Sequence, residues 1–182
     1  MTRHCALAIA MLLLAGCCQV TEKTVPLQGF SLMPAVPDGT PVTLQYGYYK
    51  CHSIQRGDIV AFRSGGEQPL AKYVRGLPGD SWTINGTGIS INSEPVKNSE
   101  GKTLVMDAAA ASRLAQLNAQ YKTVPPGNYL VFSDDWYAGT DSRQFGFVDG
   151  RDIIGRVIPP QRKATGNLTN TAGNKPNTTK TT

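Results

Sequence analysis

Short apolar runs that alternate with polar residues, each ended by Gly, Pro, Asn or Asp, constrain this chain to a β fold. The runs are 41–48, 58–63, 70–75, 82–84 with 89–91, 129–132 and 153–158. A period of two puts every second side chain on one face, which suits strands half-buried against a core. Asn85-Gly86-Thr87-Gly88 falls between two of the runs and reads as a hairpin turn, because glycine accepts positive φ. One segment breaks the pattern. Residues 107–121 are rich in Ala, Leu and Gln and open on Asp107, the composition of a helix with an acid at its positive end. The expected architecture is a mainly antiparallel β fold with one short helix, preceded by an N-terminal membrane-targeting segment. At 182 residues, 40% of them hydrophobic, the chain has enough material for one domain with a proper core.

The net charge of +5 suggests an acidic partner until its location is considered. Arg162, Lys163, Lys175 and Lys180 lie in a tail, 161–182, that carries no acid and almost no apolar residue. Such a tail cannot repay its ordering entropy and is expected to be disordered. The rest of the chain is close to neutral, without the basic face a duplex binder needs, so no nucleic-acid partner is expected. At the other end, Arg3 and His4 precede an apolar run from Ala6 to Ala15, the layout of an export signal. The run is short for a spanning helix. It ends Leu14-Ala15-Gly16-Cys17, which resembles a lipobox with Cys17 as the lipidated residue; an uncleaved anchor is the other reading. Either places residues 1–20 as a targeting segment and the remainder on the periplasmic side of a bacterial inner or outer membrane.

Cysteine and histidine usage narrows the chemistry. Cys5 falls in the targeting segment, and Cys17, Cys18 and Cys51 do not make a disulfide framework, although a Cys18–Cys51 bridge is open to an exported protein. His4 and His52 are the only histidines, and no His/Cys cluster has metal-ligand spacing, so neither a metal nor a cofactor is expected. A His-dependent triad would rest on His52 alone, in a polar loop.

What remains is a serine, a lysine and a pair of charges. Ser31 lies on a turn, between Gly29-Phe30 and Leu32-Met33-Pro34. Gly29 permits an unusual backbone or a close substrate approach, and Pro34 restricts the chain just after the serine. Lys72 sits in Leu70-Ala71-Lys72-Tyr73-Val74, where alternation gives it a face shared with Leu70 and Val74. A serine hydroxyl is a poor nucleophile until a base takes its proton. Lysine is such a base only when neutral, and apolar burial lowers its pKa by disfavouring the charged form. Asp141 and Arg143, flanking Ser142, share a face if extended and can pair; buried, the pair would brace the lysine strand. The Ser31 N–H is a natural oxyanion donor. The constellation is the Ser-Lys variant of the hydrolytic triad.

These segments, in this order, resemble the boxes of type I signal peptidases, the membrane-bound Ser-Lys family. Ser31-Leu32-Met33-Pro34 is similar to the family's Ser-x-x-Pro nucleophile box, with Leu32 where methionine is common. Gly57-Asp58-Ile59-Val60-Ala61-Phe62 resembles the next strand. Lys72 through Arg75-Gly76-Leu77-Pro78-Gly79-Asp80 is the closest match, to the base-bearing box. Ser133-Asp134-Asp135 through Asp141-Ser142-Arg143, Gly146 and Val148 resembles the last box, followed by Ile154-Gly155-Arg156-Val157. The resemblance covers about 29–158 and implies a peptidase domain over 29–160, joined to the targeting segment by a stalk at 21–28. Two positions depart from the family. A serine two residues before the nucleophile, which supplies an oxyanion donor, is Gly29 here. A serine two residues before Asp-Ser-Arg, bonded to the lysine, is Gly139, for which Thr140 or a water would substitute.

The resemblance implies a membrane-proximal serine endopeptidase that removes signal or leader peptides through an acyl-enzyme on Ser31, with Lys72 as general base. The compact chain and the segment from Ile91-Asn92 and Pro95 to Asn98 and Gly101 are similar to the conjugative-transfer (TraF-type) branch. That branch matures pilin precursors, in some members by ring closure, and would bring conjugation-apparatus proteins as partners. Two alternatives are an inactive lipoprotein binding module on the same fold and a self-cleaving repressor-type Ser-Lys domain. The export signal and the lack of a DNA-binding domain count against the second.

Overall fold

Strand pairing, not helix packing, organises the chain. The computed structural model describes residues 19–161. The export segment with Cys17 and Cys18, and the basic tail beyond residue 161, lie outside the described residues. The strands are β1 (Thr21–Pro26), β2 (Pro41–Tyr46), β3 (Ile59–Phe62), β4 (Leu70–Gly76), β5 (Trp82–Asn85), β6 (Gly88–Ile91), β7 (Glu94–Pro95), β8 (Asn128–Phe132), β9 (Val148–Asp149) and β10 (Ile153–Ile158). The helices are α1 (Ala108–Gln120) and the single turn α2 (Ser142–Phe145). Seven strands form one antiparallel sheet in the order β1-β2-β10-β3-β4-β8-β9, and β5-β6-β7 form a small second sheet. The fold is thus mainly antiparallel β, as the alternating runs required.

Both faces of the large sheet are covered, which explains the four consecutive buried residues of β3. Ile59 and Ala61 join Leu27, Leu32, Val36, Val42, Leu44 and Val157 in one cluster. Val60 and Phe62 face the other way, with Val74, Val131 and Val148. A third cluster fills the space between the small sheet, α1 and β8, around Trp82, Ile89, Leu104, Leu114, Leu130 and Phe132. Helix α1 begins as its sequence indicates: Asp107 is the N-cap, and its side chain accepts the Ala110 N–H at 2.7 Å. The Asn85–Gly88 turn joins β5 to β6, with Gly86 at φ 60°.

Two expectations change. Residues 21–26, read as a stalk, pair along their whole length with β2, and Leu27 is buried in a core cluster. The charge-alternating Thr21-Glu22-Lys23-Thr24 hides a strand because it is an exposed edge, where no apolar face is needed. The 141–143 stretch is not a continuous extended segment: Asp141 has an extended backbone but caps α2, in which Arg143 lies. Cys51 is disulfide-bonded.

Central strand β10 lies between β2 and β3 and brings its backbone against β2 at Gly155. A Cβ there would overlap the Gln45 carbonyl oxygen. Gly155→Ala should therefore lower unfolding free energy by about 1–3 kcal/mol, read as a lower urea midpoint with an unchanged slope.

Candidate active site

Ser31 reaches its place because buried residues anchor the chain before and after its turn. Leu32 and Val36 are packed in the cluster that covers one sheet face, and Leu27 enters the same cluster from the end of β1. Between them the chain turns: Met33 N–H donates to Phe30 O at 2.9 Å and Val36 N–H to Leu32 O at 2.8 Å. Gly29 has φ 89°, and its N–H donates to Asp38 Oδ1 at 2.7 Å. Pro34 is exposed and follows a cis peptide. The Asp134 N–H, just past β8, donates to Ser31 O at 2.6 Å and ties the turn to the sheet.

Lys72 comes from the middle of β4, directly across from Val60 on β3. It is 2% exposed. Its Nζ donates to Ser31 Oγ at 2.9 Å and to its neighbour's carbonyl, Ala71 O, at 3.0 Å. Burial lowers the amine from its ordinary 10.5 to about 8; Asp141 opposes that shift and Arg143 reinforces it. A serine hydroxyl and a buried amine of lowered pKa are thus in hydrogen-bond contact, across 41 residues of sequence.

Asp141, Ser142 and Arg143 hold the wall behind the lysine. Asp141 Oδ2 accepts the Ser133 N–H at 2.9 Å and Arg143 Nη2 at 2.8 Å; Oδ1 accepts the Arg143 N–H at 3.0 Å and Nε at 2.8 Å. Arg143 Nη1 also donates to Trp136 O. Ser142 Oγ accepts the Val131 N–H of β8 at 2.8 Å. Gln144 completes a capping box by accepting the Asp141 N–H at 2.9 Å. All three residues are buried. The pair makes no hydrogen bond to Lys72; it fixes the 133–143 loop, which lies against Ser31 and Lys72 at Gly139.

The remaining motif positions serve the backbone. Gly76 ends β4, where a Cβ would press on Leu130 at 2.9 Å. Pro78 and Gly79 form the turn that follows, with Gly79 at φ 87°. Asp80 closes that turn by accepting the Leu77 N–H at 2.5 Å, and Arg56 and Asn92 bind it from outside. None of these residues bonds the Ser31 or Lys72 side chain. Thr140, a suggested stand-in for the missing lysine partner, is exposed. His52 is exposed and stacks on Tyr48 at 4.0 Å between ring centroids. Three participants escaped the sequence reading. Asp38 secures Gly29, Asp134 staples the serine turn, and Ser133 puts its hydroxyl against Gly139. Ser133 and Asp134 were visible only as part of the last box, without a role.

A family model described as "Signal peptidase, peptidase S26" matches residues 2–160. Signal peptidase IB of Staphylococcus aureus strain COL is 29% identical over 161 residues, covering 84% of this chain and 83% of that protein. Signal peptidase I of Bacillus caldolyticus is 30% identical over 135 residues, covering 72% and 74%. Among solved structures, a signal peptidase I from Enterococcus faecalis V583 is 30% identical, with a TM-score of 0.40 over 58% of this chain and 97% of that one.

Removing the Asp141 charge leaves Arg143 buried beside a neutral group. Asp141→Asn should lower unfolding free energy by about 3 kcal/mol, and do so more than it lowers activity per folded molecule. Urea denaturation paired with active-site titration separates the two effects.

Proposed function

We propose, for a chain that belongs to the signal peptidase, peptidase S26 family, that Ser31 is the nucleophile and Lys72 the general base. Membership gives the coarse activity: the protein is a serine endopeptidase that removes signal peptides from precursor proteins. Signal peptidases I are membrane-associated. Among the described residues no helix is long and apolar enough to cross a membrane.

One observation carries the assignment: the buried Lys72 amine lies 2.9 Å from Ser31 Oγ. In the first step neutral Lys72 Nζ takes the Ser31 proton as Oγ bonds to the scissile carbonyl carbon. The resulting oxyanion is met by the Ser31 N–H; Gly29 has no side chain to add, and its N–H is already given to Asp38. As the tetrahedral intermediate collapses, the Lys72 ammonium passes that proton to the leaving amine. The mature chain departs and the signal peptide remains as an ester on Ser31. Water then attacks the ester, Lys72 takes the water's proton, and Ser31 Oγ is reprotonated as the signal peptide leaves.

We read the substrates as precursors with small residues at the cleavage site, presented at the periplasmic side of a bacterial membrane, with residues 1–20 as the attachment. The 91–101 segment supports the TraF-type reading, with pilin precursors as substrates. Co-expression with such a precursor and mass spectrometry of the product tests it. Free termini mean hydrolysis; a product lighter by one water means that the N-terminal amine of the fragment held on Ser31, not water, attacked the ester and closed that fragment into a ring; an uncut precursor rejects that substrate.

Ser31→Ala and Lys72→Ala should each lower kcat/KM by on the order of 10³-fold or more, and the double variant should be little worse than either. The base works only when neutral, and the neutral fraction grows as pH rises. With Lys72 titrating at about 8, kcat/KM should climb through that pH and level off above it. A profile flat from pH 6 to 10, or a Lys72→Ala protein of near-normal rate, rejects the mechanism.

A further inference from the structure

The two bonds made by Lys72 do not complete what a neutral amine needs. Such an amine has one lone pair and two N–H groups. To act as base it must turn the lone pair toward Ser31 Oγ, 2.9 Å away. Ala71 O, at 3.0 Å, takes one N–H. The second N–H requires an acceptor in a place where the lysine is only 2% exposed.

Ser133 has a hydroxyl with the opposite deficit. Ser133 is fully buried, and its Oγ has no hydrogen-bond partner. A buried hydroxyl left unpaired is costly and calls for a reason. Its backbone is committed elsewhere, because the Ser133 N–H donates to Asp141 Oδ2 at 2.9 Å. The geometry around Gly139 shows where the hydroxyl lies. The point at which a Gly139 Cβ would sit is 2.7 Å from Ser31 Cβ, 3.0 Å from Ser133 Oγ and 3.6 Å from Lys72 Nζ. Nucleophile, amine and unpaired hydroxyl therefore surround one point, and glycine puts no side chain there to separate them.

We propose that Ser133 is a positioning residue for Lys72, its Oγ accepting the second N–H of the neutral amine and so aiming the lone pair at Ser31. The proposal rests on the reading of Ser31 and Lys72 as nucleophile and base. It adds no covalent step: the proton still moves from Ser31 Oγ to Lys72 Nζ and on to the leaving amine. The charged groups that act on Lys72 are Asp141 and Arg143, which are paired with each other. Ser133 contributes a neutral dipole beside that pair.

Ser133→Ala separates this role from a structural one. The hydroxyl's one proposed partner is an N–H of Lys72, so its removal should move the melting temperature by no more than a few degrees. Activity should nevertheless fall: kcat about 10–100-fold lower with KM within twofold, the signature of a group that acts in the chemical step. The acidic limb of the kcat profile should move to lower pH, because an acceptor bonds an ammonium more strongly than an amine and its loss favours the neutral form. The assay uses the full chain in detergent and a precursor peptide spanning a signal-peptide cleavage site, with wild type and Lys72→Ala run alongside. A Ser133→Ala protein with wild-type kcat overturns the proposal. So does a loss of activity in which the limb moves to higher pH and the melting temperature drops, since that reports a loosened, hydrated site. An active Lys72→Ala protein would instead show that the dyad reading itself had failed.

Discussion

Everything in this site depends on keeping the Lys72 amine out of water while it touches Ser31. An exposed lysine stays protonated at neutral pH and has no lone pair to offer. Strand β4 solves this by placing Lys72 in line with Leu70 and Val74 and across from Val60. Desolvation is the largest influence on the amine, and the Asp141 carboxylate, which favours the charged form, is the main opponent. Arg143 limits that opposition. By pairing with Asp141 it offsets the acid that acts on Lys72, and its own charge pushes the amine the same way as burial. The motif's acid and guanidinium are therefore needed together.

A buried ion pair is weak evidence of stability, since two charges must be desolvated to form it. Here the cost is offset by extra bonds: Asp141 also accepts backbone N–H groups of Ser133 and Arg143, and Arg143 reaches Trp136 O. What the pair secures is position. It holds the end of β8, where Asp141 accepts the Ser133 N–H and Asp134 binds the backbone of Ser31. Asp134 in turn accepts the Ser99 N–H at 2.7 Å, linking the loop beyond the small sheet to the same spot. The serine turn, the lysine strand and the Asp-Ser-Arg turn are thus three separate pieces joined at one strand end.

Much of this was legible in the sequence, for physical reasons. Period-two runs marked β2 to β6, β8 and β10, since each buries one face or both, and the Asp107 cap marked α1. Lys72 could be read as buried because its two same-face neighbours are aliphatic. The contact of Ser31 with Lys72 could not be read from periodicity, because nothing local links residues 41 apart; order and resemblance suggested it. Strand β1 was missed because an exposed edge needs no apolar pattern. The α2 turn was missed because four residues carry no helical period. Ser133 was passed over for a related reason. A hydroxyl without a partner has no sequence signature, and its meaning depends on Gly139 leaving space beside it.

The most direct test of this account is a titration of Lys72 itself. In protein labelled at the lysine side chains, the Lys72 signal is assigned by its absence from the Lys72→Ala variant and followed by NMR from pH 6 to 11. The account predicts a midpoint at about 8, the value that burial imposes. A midpoint near 10.5, the ordinary value for lysine, would contradict it, because a lysine that stays charged at working pH cannot take the proton of Ser31.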